Sequence, residues 1–276
     1  MRYRIKHKTK YRCAPELIRD DAFLREKQDA EIYCQNEGKQ FMLPKEISPS
    51  WKGFLTDEIL TMLNSIEKQI GLNYTPSRDK ILRFFTWDLN SAKVVIVGQD
   101  VYFQPGVATG RSFEVGGLNS WDEPFRQVSL KNIVRLIHKT YNGITRYEDI
   151  LKFSQILSEI RDHSFPLLPP SQLFDSLEAQ GVLFLNTYLT CEMNRPNSHR
   201  HIWEGFSKKL FWYISGQRPD LHWFLWGNEA ISKAGYIQQG ILSCSRHPML
   251  CSDKYSDDFL KSTCFKDTME MINWLG

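Results

Sequence analysis

Four places in the chain carry residue types suited to a chemical site, and each follows a short apolar run. Asp100 comes after residues 94–97, Asn186 after 182–185, Gly227-Asn228 after 223–226, and Ser245-Arg246-His247-Pro248 after 241–244. Carboxylate, amide and imidazole side chains accept and donate hydrogen bonds, and two of the three exchange protons near neutral or acidic pH. Any one of them alone reads as an ordinary loop or capping residue. Four at comparable strand ends converge on one cleft, because open α/β folds place ligand sites outside the carboxyl ends of their strands.

The elements that must position these residues are legible in outline. The four apolar runs are too short for helices and read as buried parallel strands. Amphipathic segments at 130–140, 150–160, 201–213 and 259–275 separate or follow them. Strand and helix alternating in this way implies right-handed crossovers and a parallel sheet covered by helices, so the fold class is α/β. Upstream, Phe54, Ile59, Leu60, Leu63 and Ile66 recur at helical spacing, with Ser48 or Ser50 as the expected cap. Residues 1–45 are polar and charged and end at Leu43-Pro44. No repeat, low-complexity tract or Gly/Ser linker divides 46–276. The expected organisation is a basic amino-terminal extension, 1–45, and one catalytic domain, 46–276.

The stretch VVIVGQDVYFQPGVATGRSFEV, residues 94–115, is the most specific signal. It resembles the water-activating motif of family 1 uracil-DNA glycosylases, G-Q-D-P-Y-H-G-P followed by a Gly and a Phe. Gly98, Gln99, Asp100, Tyr102, Pro105, Gly106, Gly110 and Phe113 match in register, whereas Val101 stands in place of Pro and Phe103 in place of His. Further on, LFLNTYLT with Asn197-Ser198-His199, then FLWG, then His247-Pro248, and finally Phe265-Lys266, are similar to later motifs of that family. The resemblance covers 47–276. It implies a three-layer α/β fold with a central four-stranded parallel sheet flanked by helices, no metal or cofactor, and DNA as the partner.

Hydrolysing an N-glycosidic bond requires the base to leave the stack, its departing negative charge to be stabilised, and a water to be aimed at the sugar C1′. The resemblance implies that Asp100 orients that water and supports an oxocarbenium-like sugar. By the same resemblance His247 donates a hydrogen bond to the base O2. Phe113 stacks on the extruded base, Tyr102 crowds the pyrimidine C5 edge, Asn186 reads N3–H and O4, and Gln99 contacts the base through its backbone amide. DNA contacts are expected from Phe103, Arg126, Ser129, Asn228, Arg246, Met249 and Leu250, with Leu250 as the wedge entering the vacated stack. Several of these depart from the family. Phe103 cannot hydrogen-bond a water or phosphate, Met249 and Asn228 replace serines, and a four-proline loop is reduced to residues 123–129.

Composition narrows the class without naming it. A length of 276 residues with 42% apolar and 24% charged residues allows a substantial core. A net charge of +3 is too small to imply nucleic acid. Its placement says more, since Arg2, Arg4, Lys6, Lys8, Lys10 and Arg12 occupy every even position of the first twelve residues. As a strand or as a loose arm, this is a polycation able to displace counterions from phosphates; a solvated tail without a partner is the competing reading. Six scattered cysteines with no C-x-x-C pair argue against zinc or an iron-sulfur cluster. No long apolar run marks a secretion signal or membrane span, so a monomer in a reducing intracellular compartment, cytoplasmic or nuclear, is expected.

Three functions remain in contention. The first is a monofunctional glycosylase releasing uracil and leaving an abasic site. The second uses the same mechanism on a modified pyrimidine such as a C5-substituted cytosine. The third is a catalytically attenuated DNA-binding or partner platform. A small-molecule α/β hydrolase is disfavoured because no G-x-S-x-G elbow occurs.

Overall fold

The computed structural model describes residues 42–276. The alternating cations of the first twelve residues, with Cys13 and Cys34, lie outside that range. In chain order the strands are β1 (Tyr74–Thr75), β2 (Val94–Asp100), β3 (Val182–Tyr188), β4 (Cys191–Glu192), β5 (His222–Trp226) and β6 (Ile241–Ser245). The helices are α1 (Asp57–Ile70), α2 (Arg78–Ile81), α3 (Val128–Tyr141), α4 (Phe153–Arg161), α5 (Pro170–Gln180), α6 (Arg200–Gln217), α7 (Asn228–Ser232) and α8 (Cys264–Thr268).

Four strands form one sheet in the order β3-β2-β5-β6, all parallel, and β1 with β4 makes a small antiparallel ribbon beside it. Alternation along each strand divides the core in two. Val95, Val97, Leu183, Leu185, Trp223 and Leu225 face a cluster with residues of α1 and α6. Val94, Ile96, Val182, Phe184, Phe224 and Trp226 face a second cluster with residues of α3, α4, α5 and the carboxyl-terminal segment. A sheet covered on both faces needs apolar residues at every strand position, which is why the strands read as unbroken apolar runs rather than alternating ones. The three-layer α/β architecture expected above is the one observed.

The chain runs from β2 outward to β3, then returns to β5 on the opposite side of β2. Connections leaving β2 and β5 therefore diverge, and this divergence opens a crevice at their carboxyl ends.

Local signals explain the helix boundaries. Thr56, not Ser48 or Ser50, caps α1: its Oγ1 accepts from the Ile59 amide at 3.4 Å, and Asp57 and Glu58 occupy the first turn. Ser48 and Ser50 instead hydrogen-bond each other at 2.9 Å around a 3-10 turn at Pro49–Trp51. Helix α5 has Pro170 in its first turn and ends at left-handed Gly181.

Two expectations need correction. Strand β6 is not buried: it is an outer strand paired on one side, and Ile241 is 55% exposed, with Leu242 and Cys244 also exposed. The amphipathic segment 259–275 is not one helix but a 3-10 turn at Phe259–Lys261 followed by the short α8. Asp258 and Ser262 hydrogen-bond the amides of Leu260 and Cys264, starting each piece separately. Thr268 Oγ1 bonds back to the Cys264 carbonyl and accepts from Trp274 Nε1 at 3.1 Å, folding the chain end back on the core.

Candidate active site

A pocket of ≈ 210 Å³ opens at the crevice. Its lining includes Gln99, Asp100, Tyr102, Phe103, Phe113, Ser129, Asn186 and His247 among the expected residues, and also Gly98, Arg111 and Asn197. Both expected catalytic residues, all four expected base-binding residues and two of the expected DNA contacts therefore share one cavity. Arg126, Asn228, Arg246, Met249 and Leu250 do not line it.

Asp100 ends β2 and is partly buried. Its Oδ1 accepts from the Val101 amide at 3.1 Å and its Oδ2 from the Asn197 amide at 2.6 Å. Burial pushes its pKa up to about 6 against the opposing pull of these two amides. Asn186 is buried near the end of β3, directly beside Gly98 in the register of the sheet. A methyl group on Gly98 would collide with the Asn186 amide oxygen and come within 2.9 Å of Ser112 Cβ. The glycine of the G-Q-D run thus makes room for the amide that faces the pocket.

His247 follows β6. Its Nδ1 accepts from the Met249 amide at 3.1 Å, so the ring proton of the neutral imidazole sits on Nε2. Burial pushes the imidazole pKa down, favouring that neutral form. Gly227, at φ +92, lies against the ring: a Cβ there would be 2.9 Å from His247 Cβ. Behind the ring, Asn132 Nδ2 on α3 donates to the Pro248 carbonyl at 2.6 Å and anchors the loop.

Phe113 packs against Trp226, with centroids 5.3 Å apart, and lies 6.2 Å from His247. Its φ of +64 is rare for a bulky residue. The flanking residues hold it there. Arg111 Nη1 pairs with Glu114 Oε1 at 3.0 Å, and Arg111 also pairs with Glu178 and with Asp175 on α5. Burial disfavours the Arg111 charge, but these carboxylates outweigh it and keep the guanidinium protonated. The Tyr102 hydroxyl donates to the Phe113 carbonyl at 3.4 Å, and burial drives its pKa far up, so it stays a neutral donor.

Over 211 residues the chain is 30% identical to a uracil-DNA glycosylase of Escherichia coli, spanning 73% of this chain and 78% of that protein. The chain belongs to the uracil-DNA glycosylase family. A uracil-DNA glycosylase of Escherichia fergusonii is likewise 30% identical, over 69% of this chain and 75% of its own length. Among solved structures, UNG from Nitratifractor salsuginis superposes with a TM-score of 0.61 at 21% identity, covering 90% of this chain and 96% of that one. Mimivirus uracil-DNA glycosylase gives 0.55 at 23% identity, over 79% and 74%. These two show the shared fold. No protein-family model matches the chain.

The departures from the uracil-DNA glycosylase motif have a structural context. Val101, Ala108 and Cys191 form a small apolar cluster against which Tyr102 and Phe103 pack. The wall beside Asp100 is thus greasy where the family motif supplies an imidazole. In the loop after His247, Met249 is 54% and Leu250 68% exposed. Arg246 is less available than its sequence position implied. It pairs with Asp257 at 2.9 Å and lies 3.6 Å over the Tyr255 ring. Arg126 and Asn228 are exposed.

In the sequence, Asn197 belongs to a motif but carries no expected role, and nothing in the sequence singles out Arg111. Asn197 carries the amide on Asp100 Oδ2 and has φ +61. The signals in the sequence were its place in the Asn-Ser-His motif and the tolerance of asparagine for left-handed backbone.

Proposed function

We propose that this chain is a monofunctional DNA glycosylase that takes an extruded uracil into the pocket and hydrolyses its N-glycosidic bond, leaving an abasic site. The observation that carries the reading is the placement of a carboxylate and a neutral imidazole in one pocket, with an aromatic ring and a buried amide beside them. A planar base stacked on Phe113 presents its Watson–Crick edge to Asn186, whose one donor and one acceptor suit uracil N3–H and O4. Tyr102, tied to the Phe113 carbonyl, fills the space a C5 methyl would need.

As the bond between C1′ and N1 lengthens, positive charge grows on the sugar and negative charge on the base. Asp100, ionised above about pH 6, faces the sugar, stabilises the cation and aligns the attacking water. The Nε2–H of His247 donates to base O2 as charge accumulates there; a neutral donor suffices for an anion that is itself weakly basic. Water adds to C1′, the uracil leaves as an anion and takes up a proton from solvent, and the water proton passes to Asp100 or bulk. DNA is held by Ser129, Asn228 and Arg126, with Leu250 entering the stack and residues 46–276 acting as the catalytic unit that follows the basic extension 1–45 in the chain. The relatives' name supports uracil as the base, and the pocket's size and amide suit a pyrimidine.

Base release from a panel of single- and double-stranded oligonucleotides, each with one non-standard base, tests the reading. Uracil release followed by alkali-labile strand breakage is expected. Release of a C5-substituted cytosine with uracil left intact would transfer the mechanism to another base. DNA binding with no release from any member would reduce the protein to a binding platform.

A further inference from the structure

The carboxylate of Asp100 receives two hydrogen bonds of very different origin. The Val101 amide is its chain neighbour and comes with the turn. The Asn197 amide arrives from a loop 97 residues away and is the shorter of the two. That loop is itself under constraint, because Asn197 holds φ +61, a conformation that most side chains resist. What anchors Asn197 is Gln99, whose Nε2 donates to Asn197 Oδ1 at 2.8 Å. Neighbouring residues at the end of β2 thus grip the same loop residue. Gln99 holds its side chain, and Asp100 accepts from its backbone.

We infer that the Gln99 side chain is a positioning element for Asp100, acting through Asn197, and that this clamp sets the orientation and proton affinity of the carboxylate in the reaction proposed above, on which the inference rests. The role differs from the backbone contact with the base that Gln99 was expected to make. The Gln99–Asn197 bond is solvent-exposed, so it contributes little to global stability, and what it supplies is geometry. Without it Asn197 relaxes toward an ordinary φ, its amide swings off Oδ2, and the carboxylate is left with one local bond. A carboxylate that loses a donor becomes easier to protonate and freer to rotate away from the water it must align.

The other groups facing Asp100 do not duplicate this effect. Tyr102 and Cys191 are held protonated by burial, with Glu192 beside Cys191. His199, behind Thr190, and His247, in the pocket wall, are both pushed by burial toward the neutral ring. The charge of Arg111 is taken up by Glu178, Glu114 and Asp175.

The test compares the full-length wild type with Gln99→Met, Asn197→Gly and Asn197→Ala, using steady-state uracil release from a single-stranded oligonucleotide across pH. Gln99→Met is expected to lower kcat roughly ten-fold with KM within about two-fold, the pattern of a lost transition-state interaction. Its acid limb should move to higher pH and its melting temperature should hold. Asn197→Gly should retain more activity than Asn197→Ala, because glycine adopts left-handed φ without strain. Wild-type kcat and an unmoved acid limb in Gln99→Met would overturn the clamp. Carbon-13 NMR titration of the Asp100 carboxyl gives a readout independent of turnover. An upward shift in Gln99→Met supports the clamp even if the wild type released no base, an outcome that would count against the proposed function alone. An unchanged titration overturns the clamp whatever the activity.

Discussion

At the scale of single residues, Asp100 sets opposing demands on stability and chemistry. Its carboxyl is raised to about 6, so the folded protein binds that proton more tightly than the unfolded chain does. The stability this contributes is full below the ordinary carboxyl value of 3.8 and is lost as pH rises through about 6. Catalysis needs the opposite form, the anion, so base release should fall as pH drops below about 6. Replacing Asp100 with Asn, which never ionises, should therefore raise the melting temperature at pH 8, with the gain shrinking toward pH 4; a variant less stable than wild type at pH 8 would contradict the burial argument. Both Asp100→Asn and His247→Ala should cut base release by roughly a hundred- to a thousand-fold while DNA affinity stays nearly constant, since each acts on charge present only in the transition state. Phe103 extends the apolar wall beside Asp100. Phe103→His should keep the enzyme active and increase its rate on uracil, because an imidazole restores a hydrogen-bonding group near the water. A large loss in that assay would show that the ring's packing, not its missing polarity, is what the site uses.

At the scale of elements, strand ends and the glycines behind them decide where the side chains go. Gly227 follows β5 at φ +92 with the His247 side chain against it, so Gly227→Ala meets both a strained backbone and a collision. The expected result is a folded protein destabilised by about 1–3 kcal/mol, from the backbone strain, with activity reduced as far as in His247→Ala. Thermal melts and base-release rates on the same preparation check both parts, and near-normal turnover would show that the loop after β6 can shift without cost. Elements were unevenly legible in the sequence. The apolar runs 94–97 and 182–185 were plain because two covered faces require continuous apolar residues, and the strands extend past them to Asp100 and Tyr188. β6 was read as buried for the same composition, although it lies at the sheet's outer edge. Helix α5 went unread because its apolar face is interrupted by prolines before it and polar residues within it.

At the scale of the whole molecule, the question is how a chain of net charge +3 engages a polyanion. The pocket rim contributes few free cations: Arg246 is tied to Asp257 and Arg111 to three carboxylates. The six alternating cations of residues 2–12 are the densest positive run in the chain. Deleting residues 1–12 should leave melting of the remainder unchanged, weaken DNA binding, and flatten the dependence of log affinity on log salt, because fewer counterions are released. Equal slopes for the truncated and intact proteins in a salt titration would leave the arm without a role on DNA.

Sequence alone determined the α/β class, the four strands, and the polar residues at their ends, because these depend on periodicity and on residues adjacent in the chain. It also carried the resemblance to the family, through a motif whose residues lie within one short stretch, 98–113. Tertiary structure decided what joins residues far apart in sequence. Examples are the Asn197 amide on Asp100, the Arg111–Glu178 ion pair that braces Phe113, and the Asn132 amide on the Pro248 carbonyl behind His247; the exposure of β6 was decided at the same level. The reason is physical. A strand's own pattern records which faces are buried, whereas a carboxylate's partner or an edge strand's exposure depends on which distant loop closes over it, and no local pattern encodes that closure.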